Sequence, residues 1–318
     1  MKGRRFVWSD PRIIEISKQF VATTDEVWRL DTQQDADCVF FQKMSDHGHY
    51  GRRKKGASRQ GTYVFTADGK FLSSVNDLDP EVVLATLKEG LAKWKALPES
   101  ERAARKVTTK KPKHRWEDFY PHDGLVLTGY SRDLSKNKNP KSKRLPTWNR
   151  DAAWFSKGEL QKLVSRDIKA GESFNFPKVF VSRICRLHIV DAVKGQTDEF
   201  EPSEVAGSKI TATVSDRTDK QITMTIRGIT KANGKKLSTR GIETTLSGSA
   251  TYEIKSGKFS KFEFVAIGER WGRTRFNGRR RQLGKTPIGF AFELAKPGKP
   301  LVTPGMTWAY NTPWLPMP

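Results

Sequence analysis

The sequence predicts an α+β protein of two domains. A mixed α/β domain covers residues 1–97, and a larger antiparallel β-rich domain, a curved sheet or partial barrel with one or two helices, covers 119–318. Three observations carry this reading. Residues 59–94 run as strand, Asp68-Gly69 turn, strand and capped helix. From residue 210 onward apolar residues alternate with polar ones in successive runs, the period of a half-buried strand. Between the two, residues 98–118 (PESERAARKVTTKKPKHRWED) have Pro, Ser and a basic run without apolar rhythm, the composition of a linker.

In the first domain Ser9 or Asp10 caps a helix that Pro11 opens, with Ile13, Ile14, Ile16 and Phe20 as its apolar residues. Phe20–Thr24 reads as a short strand, and Asp35–Asp46 as a second helix with Cys38, Phe41 and Met44 on one side. Residues 47–60, including Arg52-Arg53-Lys54-Lys55, read as an exposed loop. Asp68-Gly69 between apolar runs signals a hairpin, because both residues tolerate positive φ. Asp79 caps the next helix, Pro80 suits its first position, and Glu81 favours the positive end of its dipole. Val83, Leu84, Leu87, Leu91 and Trp94 form its core-facing stripe.

In the second domain Gly124–Tyr130 reads as a strand, Lys136–Arg144 as a basic loop, and Lys157–Val164 as a short helix after Trp148–Phe155. A longer helix is expected over Pro177–Val193, with Phe180, Ile184, Leu187 and Val190 or Asp191 at helical spacing. Strands follow around Ile210–Val214, Ile222–Ile226, Leu246–Ile254, Phe262–Ile267 and Ile288–Leu294, with turns at Asn233-Gly234 and Ser256-Gly257. The tail, with Trp308, Tyr310 and Trp314, is expected to strap across the sheet.

The first domain's order is helix, strand, helix, strand, strand, helix. Its Ser9-Asp10-Pro11 helix leads into Phe20-Val21, and its hairpin carries Gln60-Gly61, Tyr63 and Asp68-Gly69-Lys70. Over about residues 6–97 this resembles the thioredoxin-like superfamily, as in uncharacterised bacterial proteins with such a module before a β-rich domain. The resemblance implies an incomplete thioredoxin-like domain. The family's first strand and Cys-x-x-Cys motif are missing, and Gln60-Gly61-Thr62 stands where its cis-proline would fall. Thiol–disulfide exchange needs a low-pKa thiolate and a resolving partner. A redox-inactive scaffold is therefore the expectation.

Composition bounds the rest. Hydrophobic residues are 36% of the 318, with 18 Phe and 9 Trp, which suffices for real cores. No run approaches the ~18 apolar residues of a membrane span. Met1–Phe6 has no apolar signal stretch, so a soluble protein is expected, cytoplasmic or secreted after trimming of a signal. Cys38 and Cys185 lie in different domains and set no disulfide framework, and a four-cysteine zinc site is excluded. The net charge is +23, with 16 basic against 13 acidic residues up to position 97 and 42 against 22 beyond it. Such a field favours polyanions: nucleic acid, anionic lipid or acidic polysaccharide.

The densest constellation runs from Gly268 to Arg281, where Arg270, Arg273, Arg279 and Arg280 accompany Trp271 and Asn277. Arginine forks beside aromatic rings bind phosphate and stack on planar ligands. Seven basic residues of the linker (Arg102, Arg105, Lys106, Lys110, Lys111, Lys113, Arg115) and the 136–144 loop are further cationic candidates. Trp148 and Asp151, with Trp154 and Trp271, would frame a small-molecule pocket. His47-x-His49 with Asp46 and Cys38 has one spacing element and no distant partner, so no metal or other cofactor is expected. Cys185 and His188 read as a core pair. No nucleophile elbow, P-loop or zincin motif is present, and no catalytic residue is assigned. The expected function is a redox-inactive binding or scaffold protein whose basic β-rich domain recognises an anionic ligand or protein partner. Nucleic-acid or polyanion binding is the first alternative, and an enzyme with its site in the second domain the other.

Overall fold

The computed structural model describes residues 7–52, 58–103, 115–134, 148–234, 239–296 and 302–315. The chain divides into two compact units, Val7–Asp118 and Phe119–Met317. The expected linker falls mostly at 104–114, outside the described residues, as does the 136–144 loop.

In the first unit α1 (Pro11–Ser17) is capped by Asp10, whose carboxylate accepts the Arg12 N–H at 2.9 Å. No strand forms at Phe20–Thr24, contrary to the sequence reading. Val21 there is 99% exposed, and the stretch has no neighbouring strand to take up its backbone groups. An unanticipated helix α2 (Val27–Thr32) follows, then α3 (Ala36–Ser45), capped by Asp35. Arg29, 1% exposed, ties α2 to the start of α3 by pairing with Asp25 at 2.5 Å and Asp35 at 2.8 Å.

Strands β1 (Thr62–Phe65) and β2 (Phe71–Val75) form an antiparallel hairpin. Its turn is one residue longer than Asp-Gly alone. Thr66 N–H donates to Lys70 O at 3.0 Å, and only Gly69 takes a positive φ, +96°. Helix α4 (Pro80–Lys95) lies against this hairpin, capped by Asp79. Its buried stripe is Val83, Leu84, Thr86, Leu87 and Gly90, so it ends before Trp94, which is 36% exposed beneath the Arg102 guanidinium. Gly90 sets the closeness of the packing, because a Cβ there would stand 2.7 Å from both Ser73 Oγ and Val64 Cγ1. Gly90→Val is expected to cost about 1–3 kcal/mol by overpacking. Thermal melting checks this, and an unchanged Tm would show that the helix can draw back without loss.

The second unit is organised on one open antiparallel sheet of eight strands in the order β4-β3-β10-β9-β8-β7-β6-β5. They are β3 (Leu125–Asp133), β4 (Trp148–Phe155), β5 (Ser173–Asn175), β6 (Lys209–Arg217), β7 (Gln221–Gly234), β8 (Arg240–Glu253), β9 (Lys258–Gly272) and β10 (Thr286–Leu294). The alternation predicts β6–β10 well because one face is buried and the other open. The turn expected at Asn233-Gly234 is not at those residues. Both residues still belong to β7, opposite Gly241 and Arg240. Ser256-Gly257 does turn, with Gly257 at φ +68°.

The buried face holds a cluster of phenylalanines, including Phe155 stacked on Phe180 at 4.8 Å and Phe264 on Phe292 at 4.6 Å. Helix α5 (Lys157–Gln161) starts at a capping box between Ser156 and Glu159. Helix α6 is shorter than the spacing predicts. It runs Lys178–Arg183, widens into a π turn at Ile184–His188, and ends at Ile189, whose ψ of 69° is not helical. That ending leaves Asp191 outside any helix.

Candidate functional site

The π turn and the segment after it set two buried polar clusters against the sheet. The first lies at β4. His188 Nδ1 is 2.9 Å from Asp151 Oδ2, and its Nε2 is 3.1 Å from the Tyr310 hydroxyl. Tyr310 Oη accepts the Trp154 N–H at 3.0 Å, and Asp151 Oδ1 accepts the Gly305 N–H at 3.0 Å. The tail is thus pinned alongside β4, and Trp154 Nε1 adds a bond to Val302 O at 3.1 Å. Arg183 completes the clamp. It donates to both Glu159 oxygens, at 2.8 and 2.5 Å, and to Trp154 O at 3.0 Å, between the rings of Tyr310 and Phe155. Burial pushes the Tyr310 hydroxyl well above its usual range, and the Cys185 thiol up to about 12. Both ring nitrogens of His188 are engaged, so this chain of bonds holds the strap in place.

The second cluster lies where β9 leaves the sheet. Arg279, 1% exposed, reaches Asp191 through Nε at 2.9 Å and Nη2 at 2.8 Å. The same guanidinium grips Asp133, the last residue of β3, through Nη1 at 2.9 Å and Nη2 at 2.6 Å. Lys194 pairs with Asp133 at 3.1 Å. Arg270, wholly buried, lies with Nε 2.9 Å from Asp191 Oδ2 but off the line of a hydrogen bond, and donates to Gln282 O and Gly272 O. Burial works against a charged Arg279, and the two carboxylates outweigh it, so the guanidinium is held protonated. Burial likewise favours a neutral Asp133, but Arg279 and Lys194 outweigh it and hold the carboxyl below its usual range.

These pairs sort the arginines of the 268–281 constellation by role. Arg270 and Arg279 face inward, neutralised by Asp191 and Asp133; this corrects their reading as ligand-facing cations. Buried guanidinium groups need carboxylate partners, and these are made from residues far away in sequence. Arg273, Arg275, Arg280, Arg281 and Lys285 are exposed, as is Phe276 at 56%. Thr274 is fixed by a bond from its hydroxyl to Gln196 O at 3.2 Å. Two buried arginines therefore anchor a loop that carries no Asp or Glu between residues 270 and 285 and presents its other cations outward.

The pocket expected among Trp148, Asp151, Trp154 and Trp271 does not form. Trp148 is 39% exposed beside Tyr130, Trp154 is wholly buried, and β3 and β10 separate β4 from β9. Asp151 instead lines a cavity with His188, Ser131 and Asn149, whereas Trp271 and Asn277 line another with Arg240 and Arg270. The pairing of Asp133 and Asp191 with the arginines and the Asp151–His188–Tyr310 chain escaped the sequence reading; the signal that does exist is a carboxylate at the end of a mostly apolar segment, Asp133 closing Leu125–Asp133 and Asp191 following Leu187–Val190. His49 is occupied locally, with Nδ1 2.9 Å from Ser74 Oγ and Nε2 3.1 Å from Gln60 O. Burial and a hydrogen bond with Asp35 push the Cys38 thiol up to about 12.

Among the described residues no helix is long and apolar enough to cross a membrane. No family model matches the chain, and neither a curated protein nor a solved structure matches it.

Proposed function

We propose that the protein is a non-redox binding protein whose large β unit grips an anionic polymer through the anchored loop at 273–285, with the thioredoxin-like first unit as scaffold. The observation that carries the reading is the division of labour among the arginines. Arg270 and Arg279 are consumed by internal pairs, while Arg275, Arg280 and Arg281 stand exposed on a loop free of acidic residues. Fixing the loop before binding lowers the ordering cost that a flexible basic tail would meet on association. The exposed Phe276 ring, with Arg275 5.0 Å above it, adds a face on which a base or sugar can stack. The elevated thiols of Cys38 and Cys185 agree with a scaffold that does no disulfide chemistry.

The test is retention of the full chain on labelled single-stranded oligonucleotide and on heparin across a salt series. Each phosphate contact contributes roughly 0.7–0.9 to the slope of log K against log salt. The triple variant Arg275→Ala/Arg280→Ala/Arg281→Ala should reduce that slope by about 2–3 and leave the Tm unchanged, since none of the three supports the fold. Retention with the same slope in the triple variant would refute the assignment to this loop.

A further inference from the structure

The open face of the large sheet has one corner with a chemistry of its own. On β3, Tyr130 and Arg132 point outward, and their cross-strand partners on β4 are Arg150 and Trp148. Opposite residues share a face, so the four outward positions there hold two rings and two guanidinium groups, each ring beside an arginine of the next strand. Trp148 and Arg132 are exposed, and Tyr130 and Arg150 are half-buried. The two rings stand 6.1 Å apart with their planes at 46°, and the Tyr130 hydroxyl donates to Glu293 Oε1 at 3.3 Å, which fixes its ring. The next strand leaves the rings unwalled. It places Ala291 beside Tyr130 and Gly289 beside Arg132, and a Cβ at Gly289 would come within 3.1 Å of Leu134 Cδ1. The floor continues onto β9, where Val265 and Ile267 pair with Ala291 and Gly289 and are exposed.

Charge and ring together select the occupant. Asp133 and Asp151 neighbour the corner in sequence but turn to the other face, where Arg279 and His188 hold them. Glu293 touches the group through Tyr130, and among the described residues no carboxylate forms an ion pair with Arg132. The segment joining β3 to β4, 135–147, adds five lysines and arginines and no acidic residue. Arg279 ties the basic loop to Asp133, the residue next to Arg132, so loop and corner meet at one end of the sheet. A second copy of the chain is a poor occupant, because it sets one field against itself: beyond residue 97 there are 42 basic and 22 acidic residues. An acidic polysaccharide satisfies the arginines, but its rings have no π face. A nucleotide brings one phosphate and one flat base, the same one-to-one ratio of charge to ring that these four side chains present. A duplex hides its base faces in its own stack, so the strand must be single. We infer that the corner formed by Tyr130, Arg132, Trp148 and Arg150 binds single-stranded nucleic acid, with bases stacked on the two rings and phosphates against the guanidinium groups. This rests on the polymer reading and names the class of polymer.

Fluorescence anisotropy of the full chain with a labelled oligothymidylate, and with an abasic phosphodiester of the same length, tests this. The two probes carry equal charge and differ in their bases. The oligothymidylate should bind about 5- to 100-fold more tightly, the range expected from stacking of one base. Trp148→Ala should remove most of that gap with the salt slope unchanged, and Trp148→Phe should restore it. Arg132→Ala should instead lower the slope by about 0.7. Both side chains lie on the surface, and thermal melting of each variant verifies that the fold persists. Equal binding of the two probes by the wild-type chain overturns the inference, and that comparison needs no variant. A folded Trp148→Ala chain that keeps the full gap also overturns it. Heparin retention that falls with Trp148→Ala as much as oligothymidylate binding does would assign the corner to a polysaccharide and overturn it too. If the two probes bind alike and both lose slope in the Arg275→Ala/Arg280→Ala/Arg281→Ala chain, the corner alone fails and the polymer reading stands. If a Trp148-dependent gap is present but that triple variant keeps its slope, the loop assignment fails and the corner stands. Absence of binding by either probe at low salt refutes both.

Discussion

Asp191→Ala is expected to be among the most damaging single substitutions in the large β unit, costing about 3–5 kcal/mol. For a unit of this size that lowers Tm by roughly 6–20 °C. Asp191 is the common partner of two guanidinium groups that are 0% and 1% exposed, Arg270 and Arg279, and Asn277 Nδ2 also points to it at 3.4 Å. Removal of one carboxylate leaves both cations buried with Asp133 alone, and an uncompensated buried charge costs far more than the intact pair contributes. A Tm change below about 2 °C would show that water reaches the cluster and screens it.

A double-mutant cycle refines the point. Asp191→Asn and Arg279→Gln, singly and together, should show a coupling energy of about 1–3 kcal/mol. The cycle also separates fold from function. Arg279 fastens the loop to the end of β3 and to the segment after the π turn, 146 and 88 residues away in sequence. Loss of the fastening should weaken polymer binding through a floppier loop, without the fall in salt slope that loss of a phosphate contact gives.

These distances explain what the sequence did and did not reveal. Period-two alternation is a local signal, and residues such as Phe262, Phe264 and Ala266, or Ile288, Phe290 and Phe292, place β9 and β10 without knowledge of their neighbours. The Asp79 cap and the Val83–Leu87 stripe mark α4 for the same reason. Phe20–Thr24 has strand-like composition, but a strand needs a partner, and composition does not supply one. Trp148–Phe155 is a strand whose edge is covered by the tail, so its polar and apolar residues do not alternate cleanly. The spacing of Phe180, Ile184 and Leu187 correctly predicts a helical stretch. One extra residue in the turn at 184–188 then shifts the register and carries Asp191 off the helix. An arginine in a basic loop looks the same in sequence whether it faces solvent or a carboxylate in another strand. Only the fold tells Arg279 from Arg280.

The strap offers the second large effect, with a pH signature attached. Arg183 is 3% exposed and joins the Glu159 carboxylate, the Trp154 carbonyl and the Tyr310 ring, whose centre lies 4.6 Å from the guanidinium carbon. Arg183→Met keeps most of the apolar volume and removes the charge, leaving Glu159 partly buried and unpaired. A loss of about 3–5 kcal/mol is expected. In the wild type, burial raises the Glu159 pKa, but Arg183 and the Ser156 N–H outweigh it, so the folded value lies below the ordinary one. A carboxyl with a depressed folded pKa contributes stability above its unfolded pKa, roughly 4.3, and that stability disappears as pH falls through the folded value. Asp133, depressed by Arg279 and Lys194, adds to the same acid limb. In Arg183→Met the sign for Glu159 reverses, because burial now raises its pKa with no cation to oppose it. Protonation then relieves the strain on the fold, so the gap in Tm between wild type and variant should be widest at pH 7 and shrink steadily toward pH 4. A gap independent of pH would mean that Arg183 acts by packing between Phe155 and Tyr310 and that its charge contributes little.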